Sequence, residues 1–133
     1  MTSIKTIKCA KCGKEYDESS VPPNDGCGGR IDFEFDLEKL KESITRESFQ
    51  KQVPGLWKYF ELMPLRHRKN IVTLGEGGTP LVKSKKFADE WKLKNLLLKI
   101  ETVNPSGSFK DRPICVGVSR ALEDGAETVS AAS

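Results

Sequence analysis

The sequence is poor in histidine and has no long apolar run. His67 is the single histidine among 133 residues, so a catalytic arrangement that pairs histidine with serine or cysteine has almost no material. No segment approaches the roughly 20 apolar residues of a membrane helix, and the N-terminus lacks an apolar stretch of signal-peptide length. We therefore expect a cytoplasmic protein with no membrane partner, whose cysteines remain thiols.

The charge of the chain is close to balanced. Twenty-two basic residues face 19 acidic ones, for a net charge of +3. A charge this small suits an anionic small molecule about as well as a nucleic acid. No strand combines basic and aromatic residues on one face, so a nucleic-acid partner is disfavoured, although the pI of about 8.7 and the basic run 66–69 keep a small nucleic-acid- or protein-binding module open as a rival.

Residues 1–36 are predicted to form a small β-rich arm of the zinc-ribbon type. The arm has a strand-like start, a Cys-x-x-Cys turn at Cys9 and Cys12, and a strand in which Ile31, Phe33 and Phe35 alternate with acidic residues. Alternation of this kind is typical of a half-buried strand.

The cysteines of the arm leave three interpretations open. Cys9, Cys12 and Cys27 are candidate zinc ligands, but a second Cys-x-x-Cys turn would need a cysteine where Asn24 stands. In the first interpretation zinc takes its fourth ligand from His67, Asp25 or water. In the second, the arm descends from a zinc ribbon and has lost its metal, and in the third Cys9 and Cys12 are a redox pair.

Residues 37–70 are predicted to be a helical connector. A first helix follows Asp36, a candidate N-cap. A second, apolar segment would place Trp57, Phe60 and Met63 on one face of a short packing helix.

Residues 71–133 alternate between strand and helix patterns, which favours an α/β domain with a largely parallel sheet. The predicted strands are Ile71–Leu74, Leu81–Lys83, 95–100 and 128–133, and the predicted helices are 85–91, capped by Ser84, and 114–125. A sheet with so few strands would leave its edge and its helices poorly covered. We therefore expect the chain to be the front part of a larger protein.

The most informative stretch is NPSGSFKDRP, residues 104–113. Lys110 lies at a helix entrance, and Ser108 with Asp111 resembles a capping box. Pro113 competes with that start and would place the first helical residue at Pro113 itself. Burial and the positive end of a helix dipole both disfavour an ammonium group, so a lysine here is a candidate to form a Schiff base with an aldehyde cofactor. The alternative is an ordinary exposed lysine.

This stretch resembles the lysine segment of the fold-type II pyridoxal-phosphate enzymes, and most closely that of the threonine synthases. LGEGGTPL, residues 74–81, resembles a second segment of the same family, and the cysteine-bearing arm resembles its archaeal-type members. The resemblance implies a tryptophan synthase β-like three-layer domain, present here only in its first part. Cysteate synthases, which act on O-phosphoserine, are close relatives and remain an alternative.

The resemblance also implies a function. Lys110 would be both the catalytic and the cofactor-binding residue, with pyridoxal 5'-phosphate as cofactor. The expected reaction converts O-phosphohomoserine and water to threonine and phosphate, in a protein that is a homodimer at full length. Because family segments that hold the cofactor ring and phosphate come later than residue 133, we expect the chain alone to have little activity.

Overall fold

In the N-terminal arm, three antiparallel strands form a small sheet with the order β2-β1-β3. The computed structural model describes residues 3–18 and 26–131. The strands are β1 (Ile4–Cys9), β2 (Glu15–Tyr16) and β3 (Ile31–Phe35). Central Ile7 lies opposite both Tyr16 and Phe33 and is 2% exposed. The predicted strand character of the arm is confirmed, whereas Asn24 and Asp25 lie outside the described residues.

The connector contains two short α-helices and two 3₁₀ helices, the second of which is Arg68–Asn70. Helix α1 (Leu37–Ser43) begins at Asp36, whose carboxylate accepts a hydrogen bond from the Lys39 amide at 3.0 Å, as predicted. Helix α2 (Arg46–Gln50) was not predicted. The aromatic segment forms a 3₁₀ helix, Leu56–Leu62, rather than an α-helix. Because a 3₁₀ helix has three residues per turn, Trp57 and Phe60 still share a face.

The second sheet has two strands that run antiparallel. Strands β4 (Leu81–Lys83) and β5 (Leu97–Lys99) pair with Val82 opposite Leu98. Between them lies α3 (Lys85–Glu90), with Ser84 at its N-cap position but no hydrogen bond from the Ser84 side chain to the helix. The expectation of a largely parallel sheet is therefore wrong for the part of the chain that the structure describes.

Two predicted strands are not formed in the described residues. Ile71–Leu74 pairs with no strand in the described residues, because side chains bind its backbone: the Val72 amide donates to Ser119 Oγ at 2.8 Å and the Leu74 amide to Glu76 Oε2 at 2.9 Å. Residues 128–131 are also irregular. Both segments have a high local β propensity. A β-strand also needs a neighbouring strand to pair with, so propensity alone did not predict the structure of these segments.

The longest helix is α4 (Asp111–Glu123). Its buried face is a stripe of small and polar side chains, Asp111, Cys115 and Ser119, at four-residue spacing, with Arg120 beside it. Away from this stripe, the apolar residue Ile114 is 40% exposed. No helix in the described part of the chain has the length and apolar character needed to cross a bilayer.

The arm is attached to α4 through two arginines. Arg120 Nη2 and Arg66 Nη1 both donate to the carbonyl oxygen of Glu18, at 2.9 and 3.1 Å. The Arg120 guanidinium also lies over the ring of Phe33 in β3, 5.4 Å from its centroid. The arm sheet and the main helix are thereby held in contact by hydrogen bonds and a cation–π interaction.

Candidate functional site

Asn104 connects the two glycine-containing loops that the sequence singled out. It is 4% exposed, and its side-chain oxygen accepts a hydrogen bond from the Gly77 amide at 3.0 Å. Its side-chain nitrogen donates to the backbone and the carboxylate of Glu101, at 2.8 and 2.9 Å. A buried amide with its donors and acceptor all satisfied has one orientation, so the loops 74–81 and 104–110 are held in a fixed relation.

A second link between these loops runs through an ion pair. Arg112 Nε lies 2.7 Å from Glu101 Oε2, and Arg112 Nη2 lies 2.8 Å from Glu101 Oε1. Thr79, which is 5% exposed, donates its hydroxyl hydrogen to Glu101 Oε1 at 2.6 Å. The Arg112 guanidinium and these hydrogen bonds lower the pKa of Glu101 to about 2. The carboxylate is therefore charged across the physiological range.

The loop 74–81 packs closely against the connector. A Cβ atom at Gly77 would lie 2.5 Å from the Leu56 nitrogen, and one at Gly78 would lie 3.2 Å from the Pro54 Cβ. Between the glycines of this loop, Glu76 is 1% exposed and accepts hydrogen bonds from Thr73 Oγ1 and the Leu74 amide. Burial raises the pKa of Glu76, but these hydrogen bonds outweigh it and the net shift is downward.

Helix α4 begins earlier than Pro113. Its first helical residue is Asp111, and its first α-helical bond joins the Ile114 amide to the Lys110 carbonyl at 3.1 Å. Pro113 is tolerated in the first turn because proline has no amide hydrogen, and the amides of a first turn have no hydrogen-bond partner inside the helix. The predicted Ser108–Asp111 capping box is absent: Ser108 Oγ accepts from the Lys110 amide at 3.2 Å, while the Asp111 carboxylate accepts from the amide and hydroxyl of Ser106.

Lys110 occupies the N-cap position of α4 and is half-buried. Its backbone is held on both sides, by Ser108 before it and by the Ser106–Asp111 and Glu101–Arg112 contacts after it. Its amine lies 5.0 Å from the centroid of the Phe109 ring. It donates no hydrogen bond to any group in the described part of the chain, so no protein group there competes with an aldehyde for this amine.

A cleft of about 370 Å³ lies beside the Glu101–Arg112 pair. Its lining includes the basic residues Lys58, Lys99 and Arg112 and the acidic residue Glu101. Three positive groups against one negative group favour an anionic ligand. Lys110 is not among the residues that line this cleft, and neither does it line the clefts of about 470 and 480 Å³ elsewhere on the surface.

Comparison with known proteins covers nearly the whole chain. Residues 72–133, which contain both glycine-containing loops and Lys110, match the family of pyridoxal-phosphate dependent enzymes. The chain is 42% identical, over 95% of its length, to the threonine synthase of Methanocaldococcus jannaschii, and 41% identical, over 96%, to that of Methanosarcina acetivorans. The threonine synthase of Halalkalibacterium halodurans is 41% identical over 59% of the chain. The chain is threonine synthase-like.

This threonine synthase-like chain spans 31% of the length of each of the two archaeal relatives. No solved structure matches it. Enzymes of the matching family depend on pyridoxal phosphate, which confirms the family and the cofactor class that the sequence motifs indicated.

The structure brings the three arm cysteines together. The sulfur atoms of Cys9, Cys12 and Cys27 all lie within 4.8 Å of one another. His67, the candidate fourth ligand from the sequence, is exposed and is not part of this group; its amide instead donates to Glu123 at 2.8 Å. His67 is therefore excluded as the fourth zinc ligand, and Asp25 and water remain as candidates.

Sequence reasoning missed the polar network that positions the Lys110 segment. Glu101 and Asn104 connect the two glycine-containing loops, and Glu76 stabilises the first of them. The one available signal was Glu76 itself, since a single acid between glycines in a tight loop is placed to accept backbone amides. Glu101 precedes the lysine segment in a run with no distinguishing pattern.

Proposed function

We propose that Lys110 binds pyridoxal phosphate through a Schiff base in an enzyme that converts O-phosphohomoserine and water to threonine and phosphate. The observation that supports this most directly is the fixed placement of Lys110 at the N-cap of α4, within the residues that match the family. The primary amine has no competing hydrogen bond in the described residues, so its chemistry fits an aldehyde cofactor.

The residues around Lys110 hold the amine in place. Asp111 is buried and bound by Ser106, and Arg112 is bound at two points by Glu101. These contacts fix the first turn of α4, so the Lys110 side chain starts from one backbone position. Fixed placement of a reacting group supplies a large share of a rate enhancement.

In the proposed reaction the cofactor acts as an electron sink for carbon acids. The Lys110 amine would accept and donate protons at Nζ during the reaction. Phosphate leaves from the γ-carbon and water adds at the β-carbon, so one water is consumed for each phosphate released. The choice of O-phosphohomoserine over O-phosphoserine is supported by the names of the three relatives described above, each of which is a threonine synthase.

Cofactor attachment is tested by borohydride reduction. The chain is incubated with pyridoxal phosphate and reduced, and the modified lysine is mapped by mass spectrometry in the wild type, Lys110→Ala and Lys86→Ala. Lys86 is an exposed lysine of α3 and serves as the matched control. We expect Lys110 to carry the dominant label and Lys86→Ala to keep it. Label spread evenly over many lysines, or unchanged in Lys110→Ala, contradicts the assignment.

Substrate choice is tested in a chimera. Residues 1–133 replace the matching part of the Methanocaldococcus jannaschii threonine synthase, and phosphate release is measured with O-phosphohomoserine and with O-phosphoserine. We expect turnover of the first substrate and its loss in Lys110→Ala but not in Lys86→Ala. A chimera that binds the cofactor but prefers O-phosphoserine would overturn the substrate assignment and leave the role of Lys110 intact.

A further inference from the structure

We propose that Cys9, Cys12 and Cys27 bind one zinc ion and that this ion holds the N-terminal arm in shape. In a tetrahedral zinc site with Zn–S bonds of about 2.3 Å, two sulfur ligands lie about 3.8 Å apart. The Cys9 and Cys27 sulfurs are separated by 3.6 Å, far longer than the roughly 2.05 Å of a disulfide bond. The spacing therefore fits two ligands of one metal.

The backbone around Cys9 directs two amides at the Cys9 sulfur. The amides of Lys11 and Cys12 both point at the Cys9 sulfur, at 3.3 and 3.4 Å. Hydrogen bonds from backbone amides to a ligand sulfur orient the ligand and favour its charged form. Because Cys9 is also 1% exposed, a charged sulfur there needs the partner that a cation supplies.

Gly29 provides independent evidence that the chain is shaped to bring these sulfurs together. A Cβ atom at this position would overlap the Cys9 sulfur and lie 2.8 Å from the Lys11 Cβ. Only a glycine leaves room for the sulfurs of Cys9 and Cys27 to approach each other here. Lys11 also bridges the site, since its amine donates to the Cys27 carbonyl at 2.8 Å.

The binding reaction exchanges protons for metal. Three thiols each lose a proton to solvent and each forms one bond to Zn²⁺, so the three-thiolate site carries one net negative charge. No histidine or carboxylate in the described residues joins the sulfur group. Cys12 is exposed, so the fourth position faces solvent, and we assign it to water.

The arm needs such an ion because its core is small. Within residues 3–18 and 26–36, the buried apolar side chains are Ile7 and Cys9. A sheet with so little apolar burial is marginal without a metal or a cross-link. Zinc would hold the turn at Cys9–Cys12 against the Cys27 loop, and so keep β1 and β3 paired and Phe33 in place under Arg120.

The test measures metal in the whole chain. Zinc content is determined for the wild type, Cys9→Ser, Cys12→Ser, Cys27→Ser and Cys115→Ala, the last being a matched control because Cys115 is a buried cysteine of α4 outside the cluster. We expect one zinc per chain in the wild type and in Cys115→Ala, and a loss of about tenfold or more in each serine variant. Asp25→Asn should keep its zinc, since water is the fourth ligand; loss of zinc would overturn that assignment.

A second measurement avoids variants that fold poorly. The wild-type chain is treated with a chelator and amide hydrogen exchange is compared before and after. We expect residues 4–9 and 31–35 to exchange faster without metal while α4 is unchanged. A purified wild-type chain without zinc that takes none up on addition of the metal, or a mass two hydrogens lower that reports a disulfide among these cysteines, overturns the proposal.

Discussion

Arg112 and Glu101 form a two-point ion pair that joins the first turn of α4 to the segment after β5. The two nitrogen–oxygen distances are 2.7 and 2.8 Å, a geometry that the planar guanidinium makes with a carboxylate and that lysine cannot reproduce. The pair borders the lysine segment on one side and the glycine-containing loop 74–81 on the other. Its charge state therefore bears on the stability of both.

The first prediction concerns acid stability. Because Arg112 lowers the pKa of Glu101 from 4.5 to about 2, the charged carboxylate stabilises the fold fully above pH 4.5, and this contribution is lost as the pH falls toward 2. Urea unfolding of Glu101→Gln should therefore vary less with pH across this window than unfolding of the wild type. Glu90→Gln, an exposed acid of α3, should follow the wild-type slope. Parallel curves for Glu101→Gln and the wild type would contradict the prediction.

The second prediction separates steric overlap from backbone strain. Gly77 has a φ of +88° and would place a Cβ atom 2.5 Å from the Leu56 nitrogen, whereas Gly75 has a φ of +84° and open space. Gly77→Ala should lower the free energy of unfolding by about 2–3 kcal/mol, and Gly75→Ala by about 1 kcal/mol from strain alone. Chemical denaturation measures both.

Gly117 supplies the control for these variants. It lies within α4, and nothing comes within 4 Å of an added Cβ. Gly117→Ala should therefore raise the free energy of unfolding by about 1 kcal/mol, as alanine does in a helix interior. Equal losses at Gly75 and Gly77 would show that the contact with Leu56 contributes nothing.

The third prediction concerns Ser119, which is fully buried. Its hydroxyl oxygen accepts from the Val72 amide at 2.8 Å, and its hydrogen is donated to the Cys115 carbonyl at 2.7 Å. Ser119→Ala leaves the Val72 amide unsatisfied and should cost about 1–3 kcal/mol of stability. Ser84→Ala should change stability by less than about 0.5 kcal/mol, because that hydroxyl makes no cap bond to α3. A small effect at Ser119 would contradict the prediction.

The fourth prediction concerns Glu123, whose side chain is 2% exposed. Its carboxylate accepts hydrogen bonds from the amides of Arg66 and His67 and from the side chain of Asn70, at 2.7, 2.8 and 2.9 Å. Glu123→Gln turns an NH₂ group toward these donors and should destabilise the chain by about 2 kcal/mol. Thermal unfolding against exposed Glu127→Gln as control measures the effect. Equal melting temperatures for the two variants would refute this role of Glu123.

The sequence predicted helices better than it predicted the sheet. Asp36 marked the start of α1, and the periodicity from Ile114 marked α4, because caps and helical spacing are local signals. The strand assigned to Ile71–Leu74 was wrong because its backbone groups bond to Ser119 and Glu76, a choice that depends on distant parts of the chain. Strand pairing and direction are long-range properties, so β4 and β5 were both located correctly while their antiparallel direction was not.

In the candidate site, too, local features were predicted from the sequence and long-range contacts were not. Lys110 and the two glycine-containing loops were located from short motifs with a known chemistry. The contacts that hold them, from Glu101 and Asn104, join residues far apart in sequence, such as Asn104 and Gly77. The buried face of α4 was also unforeseen, since Asp111, Cys115 and Ser119 are buried for their hydrogen bonds rather than for their hydrophobicity.

The hydrogen bonds that attach the arm to α4 use a backbone atom of the arm and side chains of Arg66 and Arg120, so substitutions at these positions differ in their effect. Arg66 and Arg120 both bond to the carbonyl oxygen of residue 18, and every amino acid carries that oxygen. This interaction would therefore survive replacement of Glu18 itself, whereas a shorter side chain at position 66 or 120 would remove one of the two hydrogen bonds to the arm. An evolving or engineered version of this protein is free to vary at position 18 and constrained at positions 66 and 120, and at Phe33, over whose ring Arg120 lies.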